Sequence, residues 1–349
     1  MDMAKTLRKL TSIEVCAGAG GQALGLEMAG FDHVALVEND ARCCETLRLN
    51  RPDWTVLEED LNDFDGTPYA GVDLVAGGVP CPPFSKAGKQ LGHLDERDLF
   101  PAALRLVEQT NPKAVMLENV RGLLDPKFAV YRQEILDRLE ELGYIGEWKL
   151  IQAAWHGVPQ LRPRAILVAL KPEYFQYFEW PEPVTESEYI TVGEALHEEM
   201  ASLGWKLADD WKKIANKIAP TLVGGSKKHG GADLGPTRAK AAWEKLGVDG
   251  KGVADTPPAA DFEGIPRLTV QMTAIIQGFP KSWKIAGKKT SAYKQVGNAF
   301  PPPVAAAVGL AIHDAITKVP KPTSASVTVD GYEDATQIPA FASLEAPAA

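Results

Sequence analysis

The sequence predicts an α/β protein, an open sheet with helices on both faces followed by a smaller and more irregular domain. Three observations lead there. Up to about residue 172, short β-branched or apolar runs alternate with amphipathic stretches of helical length. A glycine-rich turn, GAGGQA, joins the first apolar run to the first helix. Beyond residue 172 the alternation decays into EYFQYFEWPEPV, GGSKKHGG and GVDGKGVAD, with only short helical pieces between them.

Each element follows in order. SIEVCA, HVALVEND, TVLEEDL, VDLVAGG, KAVMLENV and RAILVAL read as buried strands; GGQALGLEMAGF, ARCCETLRLNRPD, DLFPAALRLVEQTNP and VYRQEILDRLEELGY read as the helices between them. Such an alternation describes βαβ units and a parallel sheet, in which ligands bind at the carboxyl ends of the strands. In the second half LTVQMTAIIQGFP is helical. YKQVGNAFPPPVAAAVGLAIHDAITK ends in an apolar helix that must pack on the first domain to be stable. From Pro320 the chain turns to small residues, proline and acids, the composition of a disordered tail.

At 349 residues, 45% hydrophobic and 24% charged, the composition is that of a globular protein with a sizeable core. The N-terminal stretch has no apolar signal region and the chain no long uninterrupted apolar run, so a cytoplasmic protein is expected, with no membrane partner. Four cysteines without a C-x-x-C pair and six scattered histidines argue against zinc or any other metal and against a disulfide framework. The net charge of −9 speaks against a nucleic-acid partner until its distribution is considered. Between Arg267 and Lys294 lie six basic residues and no acid, and from Lys206 to Lys245 nine Lys/Arg face four acids. A local positive face is therefore expected in the C-terminal half.

The candidate site assembles from strand ends. GAGGQA matches G-x-G-x-x-G/A, and Glu38, at the end of the second strand, stands 20 residues after Gly18, where an acid can accept ribose hydroxyls. Asp60 ends the third strand and suits an adenine amino group. Together they fit a dinucleotide or S-adenosylmethionine. Cys81 follows the fourth strand in GGVPCPPFSKAG, a thiol presented on a loop that prolines stiffen. The next strand delivers Glu118 and Asn119 to the same edge, and WHGVPQLRPR offers Gln160, Arg162 and Arg164. A rigid thiol, a carboxyl able to share a proton with a ring nitrogen, and a guanidinium able to hold a carbonyl thus converge beside an adenosine site.

CAGAGG, GGVPCPPFS, ENV, QLRPR, RLTVQMTAIIQGFP and QVGNAFPPPVA, in this order, resemble the motifs of the DNA (cytosine-5)-methyltransferases of bacterial restriction–modification type, over residues 11 to about 315. The resemblance implies a Rossmann-like S-adenosylmethionine-dependent methyltransferase sheet with a smaller irregular target-recognition domain. The implied boundaries are 11–184 for the catalytic and cofactor-binding domain, 185–289 for the target-recognition domain, 290–317 for a return segment on the catalytic domain and 318–349 for the tail. It implies Cys81 as nucleophile toward C6 of a flipped-out cytosine, Glu118 at N3, Arg164 at O2, and Arg162 and Gln160 holding the loop or a phosphate. Cofactor contacts are expected from Cys16, Ala17, Gly18, Gly20, Gly21, Glu38, Asn39, Asp60, Leu61, Pro80, Leu99, Asn298 and Ala299. DNA contacts are expected from Ser85, Gln160, Lys227, Lys228, His229 and Arg238. Double-stranded DNA is the implied partner, a cognate restriction endonuclease the implied functional companion, and a monomer the implied form.

Two departures stand out: Cys16 replaces the usual Phe of the first motif, and Met272 a common Glu of the RLT motif. Cys43 and Cys44 read as core. Two other enzyme readings remain at this level, transfer RNA cytosine-5 methylation and nicotinamide-dependent oxidoreduction. The first lacks its Cys-Phe-Thr signature here, and the second leaves Cys81, Glu118 and the arginines unexplained.

Overall fold

A computed structural model describes residues 9–80, 98–184, 189–224 and 232–319. Its elements are β1 (Leu10–Val15), α1 (Gly21–Met28), β2 (Phe31–Glu38), α2 (Ala41–Asn50), β3 (Val56–Glu58), β4 (Leu74–Gly77), α3 (Phe100–Thr110), β5 (Ala114–Val120), α4 (Ala129–Glu141), β6 (Ile145–Gln152) and β7 (Pro163–Leu170). There follow α5 (Pro172–Phe175), α6 (Val192–Ala201), α7 (Ala208–Ile214), α8 (Thr237–Glu244), α9 (Val270–Ile276), α10 (Lys289–Asn298) and α11 (Pro302–Thr317). The expected tail from Pro320 and all of GGSKKHGG after its first glycine lie outside the described residues.

The strands form one seven-stranded sheet in the order β3-β2-β1-β4-β5-β7-β6. From β3 to β5 every pairing is parallel, but β7 runs antiparallel to both β5 and β6. The expectation of a parallel sheet is corrected at this edge. IGEWKLIQ, not anticipated as a strand, carries the chain out as β6, and a short link rather than a crossover helix brings it back, which forces the antiparallel sense. The reversal matters for the site. It sets the first residues of β7, not the last, beside the carboxyl end of β5, with Ala165 opposite Asn119 and Arg164 opposite Val120.

Both sheet faces are covered, which is why β4 and most of β5 and β7 are fully buried. One face packs against α3 and α4 through Leu106, Val107, Ile135 and Leu139; the other against α11 through Val304, Val308 and Ile312. α1 meets α11 so closely that a Cβ on Gly25 would come within 2.4 Å of the Pro302 carbonyl oxygen. The continuous stretch Lys289–Thr317 is apolar enough to cross a membrane by length and composition, but most of it is buried in this core.

A second core draws on residues 192 to 293, with Trp205, Trp211, Trp243, Leu268 and Met272 at its centre. Met272 also gives the physical reason that the RLT departure is tolerated. It sits at the third position of α9, where its amide donates to Thr269 Oγ1 (3.1 Å) and its sulfur accepts the Thr269 amide (3.4 Å), completing a capping box with a thioether in place of a carboxylate.

Candidate active site

The carboxyl edge of the parallel strands opens into a cavity of about 1150 Å³. Its wall includes Cys16, Ala17, Gly18 and Gly21 from the glycine turn, Glu38 and Asn39 after β2, and Leu61, Pro80 and Leu99 from the following strand ends. Glu118, Asn119, Arg162 and Arg164 close one side; Thr221–Gly224, with Asn298 and Ala299 behind them, close the other.

At the β2 end, Glu38 is buried and holds the turn in shape, one carboxylate oxygen accepting the amide of Gly18 and the other that of Asp40, each at 2.8 Å. A carboxylate has lone pairs beyond these two bonds, so it can still accept ribose hydroxyls. Gly18 and Gly20 both have positive φ, +55° and +81°. Gly20 does not line the cavity. A Cβ there would lie 2.7 Å from Leu47 and 3.0 Å from Trp283, so its absent side chain serves packing behind the turn. Asp60 stands outside the wall as well, tied to Asn39 and Asn62, with its carboxyl held below the usual range chiefly by the Asn62 amide. Cys16 has φ +53° and sits where the usual aromatic ring would be. Burial, and then the charge of Glu38, push its thiol far up, and burial does the same to Cys43 and raises Cys44 to about 11. None of these three is a thiolate at neutral pH.

At the β5 end, Glu118 and Arg164 form an ion pair, Nε to Oε1 at 2.7 Å, with both side chains about one-tenth exposed. Burial pushes the Glu118 carboxyl up in spite of the guanidiniums of Arg164 and Arg162. Glu118 faces Gly78, whose missing Cβ would lie 3.3 Å from its Oε2. Asn119 donates to the Val79 carbonyl at 2.7 Å and so ties the end of β5 to the segment leading into Cys81. Cys81 itself, with Ser85, Lys227, Lys228 and His229, lies outside the described residues.

Arg162 and Gln160 turn inward and hold a loop, the first of the two roles expected of them, rather than a phosphate. The Arg162 guanidinium is 1% exposed and donates to the carbonyls of Leu222 (2.6 Å), Gly297 (2.8 Å) and Ala299 (3.0 Å). Gln160, with no exposed surface, donates to Ile276 O and Gln277 Oε1 and accepts the Leu222 amide at 2.7 Å. Both act by holding the segment around Leu222 against the end of α10. No spacing in the sequence marks that segment as part of the site.

Comparison with known proteins decides the family, because the model of the C-5 cytosine-specific DNA methylases matches residues 10–314. The chain belongs to that family. As a DNA cytosine-5 methyltransferase it is 56% identical to the Type II methyltransferase M.NgoMIV of Neisseria gonorrhoeae, over 89% of this chain and 99% of the relative. Identity to the Type II methyltransferase M.NaeI of Lentzea aerocolonigenes is 55%, over 89% and 76%. Among solved structures, the Entamoeba histolytica methyltransferase EhMeth shares the fold at a TM-score of 0.62 and 15% identity, covering 88% of this methylase and 99% of that chain. S. pombe Dnmt2 shares it at 0.59 and 17%, covering 90% and 100%. Around one cavity this methylase sets Glu118, Arg164 and the GAGGQA turn. The surface charge is less one-sided than the composition of residues 267–294 suggests, because acids from elsewhere fold against it: Arg267 pairs with Asp249, Lys281 with Glu198 and Lys289 with Asp255. Lys284, Lys288 and Lys294 have no ion pair among the described residues, and Lys288 and Lys294 line the cavity. Arg238 is exposed at the start of α8. Among the described residues no group of three or more His, Cys, Asp or Glu is placed to hold a metal.

Proposed function

We propose that this methylase modifies C5 of a cytosine flipped out of a specific double-stranded DNA sequence, through a covalent bond from Cys81 to C6, as the modification enzyme of a Type II restriction–modification system. The Glu118–Arg164 pair on the wall shared with the glycine turn carries the reading. S-adenosylmethionine, when bound, supplies an electrophilic methyl group to C5. Glu38, with Cys16, Ala17, Gly18, Gly21, Asn39, Leu61, Pro80, Leu99, Asn298 and Ala299, would hold it, and the apolar wall with a buried acid fits an adenosine.

The residues of the chain divide the remaining work. The Cys81 thiolate adds to C6, which makes C5 nucleophilic. Glu118 donates its proton to N3 as negative charge develops on the ring, a role that suits a carboxyl raised by burial. Arg164, whose Nε holds Glu118 and whose Nη1 donates to the Pro163 carbonyl, has Nη2 to donate to O2. After methylation C5 loses its proton to a base and the C6–sulfur bond breaks, returning the thiolate. Extruding the base costs a few kcal/mol, offset by protein–DNA contacts. For these we nominate residues 224–240, with Lys227, Lys228, His229 and Arg238, together with Ser85. The high identity to named Type II methyltransferases speaks for a paired endonuclease; a monomer acting in the cytoplasm completes the proposal.

Cys81→Ala is expected to abolish methyl incorporation into duplex DNA while leaving cofactor affinity within a fewfold of wild type; full activity of the variant would sink the mechanism. Competition of duplex DNA against transfer RNA separates the two nucleic-acid substrates, and bisulfite sequencing of DNA from expressing cells identifies the target.

A further inference from the structure

Residues 222–224 touch three parts of the molecule at once. Arg162 and Gln160 hold them at Leu222, whose carbonyl and amide they bond. A second contact comes from the end of α10. A Cβ on Gly297 would lie 2.3 Å from the Gly224 nitrogen, 2.6 Å from its Cα and 2.7 Å from the Val223 carbonyl carbon, so the two backbones meet with no side chain between them. A Cβ on Gly224 would in turn lie 2.2 Å from Asn298 Oδ1. The third contact is with the chain entering α8, where a Cβ on Gly235 would lie 3.1 Å from Val223 Cγ2 and 3.3 Å from the Ala239 Cβ.

Of these neighbours α10 is the fixed one. Tyr293 and Val296 anchor it in two different cores, and the Gln295 side chain is bonded to Thr46 and to the Ala286 carbonyl. Even one methyl group added at Gly297 must therefore displace residues 222–224, because a close-packed contact has no slack to absorb it. Val223 passes the displacement to the start of α8, where Asp233 pairs with Lys240 at 2.8 Å and Arg238 stands exposed. Hydrogen bonds to base edges weaken steeply when distance or angle departs from the optimum.

We propose that Gly297, Gly224 and Val223 are positioning residues for DNA recognition. Their contact sets α8, with Arg238, at a fixed distance from the wall that carries Glu118 and Arg164, and so keeps the bases that are read in register with the cytosine that is methylated. The inference rests on residues 224–240 contacting DNA.

Steady-state methylation of two duplexes tests it, one carrying the target found by bisulfite sequencing and one with a single base pair of that target exchanged outside the cytosine pair. Gly297→Ala is expected to lower kcat/KM for the target at least tenfold, mainly through KM, and for the exchanged duplex less than threefold, so that discrimination between them shrinks. Val223→Ala adds no atom and makes no clash; it should narrow the same ratio at least threefold, and it decides alone should Gly297→Ala not fold. An equal fall on both duplexes, which a merely structural defect would give, or an unchanged ratio overturns the positioning role. A wild-type chain that methylates both duplexes alike overturns sequence-specific recognition, and the positioning role with it.

Discussion

Glu118 carries two opposed influences, burial that raises its carboxyl and a guanidinium at 2.7 Å that lowers it, and burial is the larger. The sign of its pH dependence follows. A carboxyl raised in the folded state is protonated at low pH, so the fraction able to donate to N3 falls as pH rises through the raised value, and methylation rate at saturating DNA should fall with it. Glu118→Gln should flatten that limb and lower single-turnover rate by about 10²-fold or more, the scale of one general-acid contribution. Arg162 belongs to a different class. Replacing it by Met leaves the buried carbonyls of Leu222, Gly297 and Ala299 without donors, and a loss of about 3 kcal/mol or more is expected in urea unfolding. Both arginines come from one Q-x-R-x-R run. The register of β7 sets Arg164 beside Glu118, whereas Arg162, just ahead of the strand, also lines the cavity but gives its guanidinium to backbone carbonyls.

That register was only partly legible in advance. Buried strands read the same whether they run parallel or antiparallel, so RAILVAL was recognisable as a strand while its direction was not. IGEWKLIQ escaped because it is an edge strand of mixed exposure, with Ile145, Lys149 and Leu150 open to solvent. Glycine turn, Glu38, Glu118 and Arg164 were legible because chemistry dictates their type; for Gln160 and Arg162 the choice between holding a loop and meeting a phosphate stayed open, because a polar residue in a motif looks the same whether it meets DNA or a carbonyl. Two predictions belong to the helices. Thr269→Ala removes the cap that Met272 completes on α9 and should cost about 1 kcal/mol. Gly25→Ala drives a methyl against the Pro302 carbonyl and Ala305 and should cost about 2–3 kcal/mol in the same unfolding measurement.

The whole molecule is acidic, with a net charge of −9, yet Lys288 and Lys294 lie on the cavity wall and Arg238 is exposed on α8. Affinity for duplex DNA should therefore fall steeply with salt in spite of the overall charge, and replacing any one of the three that contacts a phosphate by Ala should reduce the slope of log K against log salt by about one. One further consequence comes from the contact between α1 and α11. These helices lie side by side although almost the whole folded chain separates them in sequence, and Trp283, whose indole donates to the Ala19 carbonyl, closes the back of the glycine turn from the same late stretch. The turn is thus translated near the start and shaped near the end. During synthesis its supporting surface does not yet exist, so a nascent chain is expected to expose the α1 face until residues beyond 300 leave the ribosome, and to complete folding late and slowly.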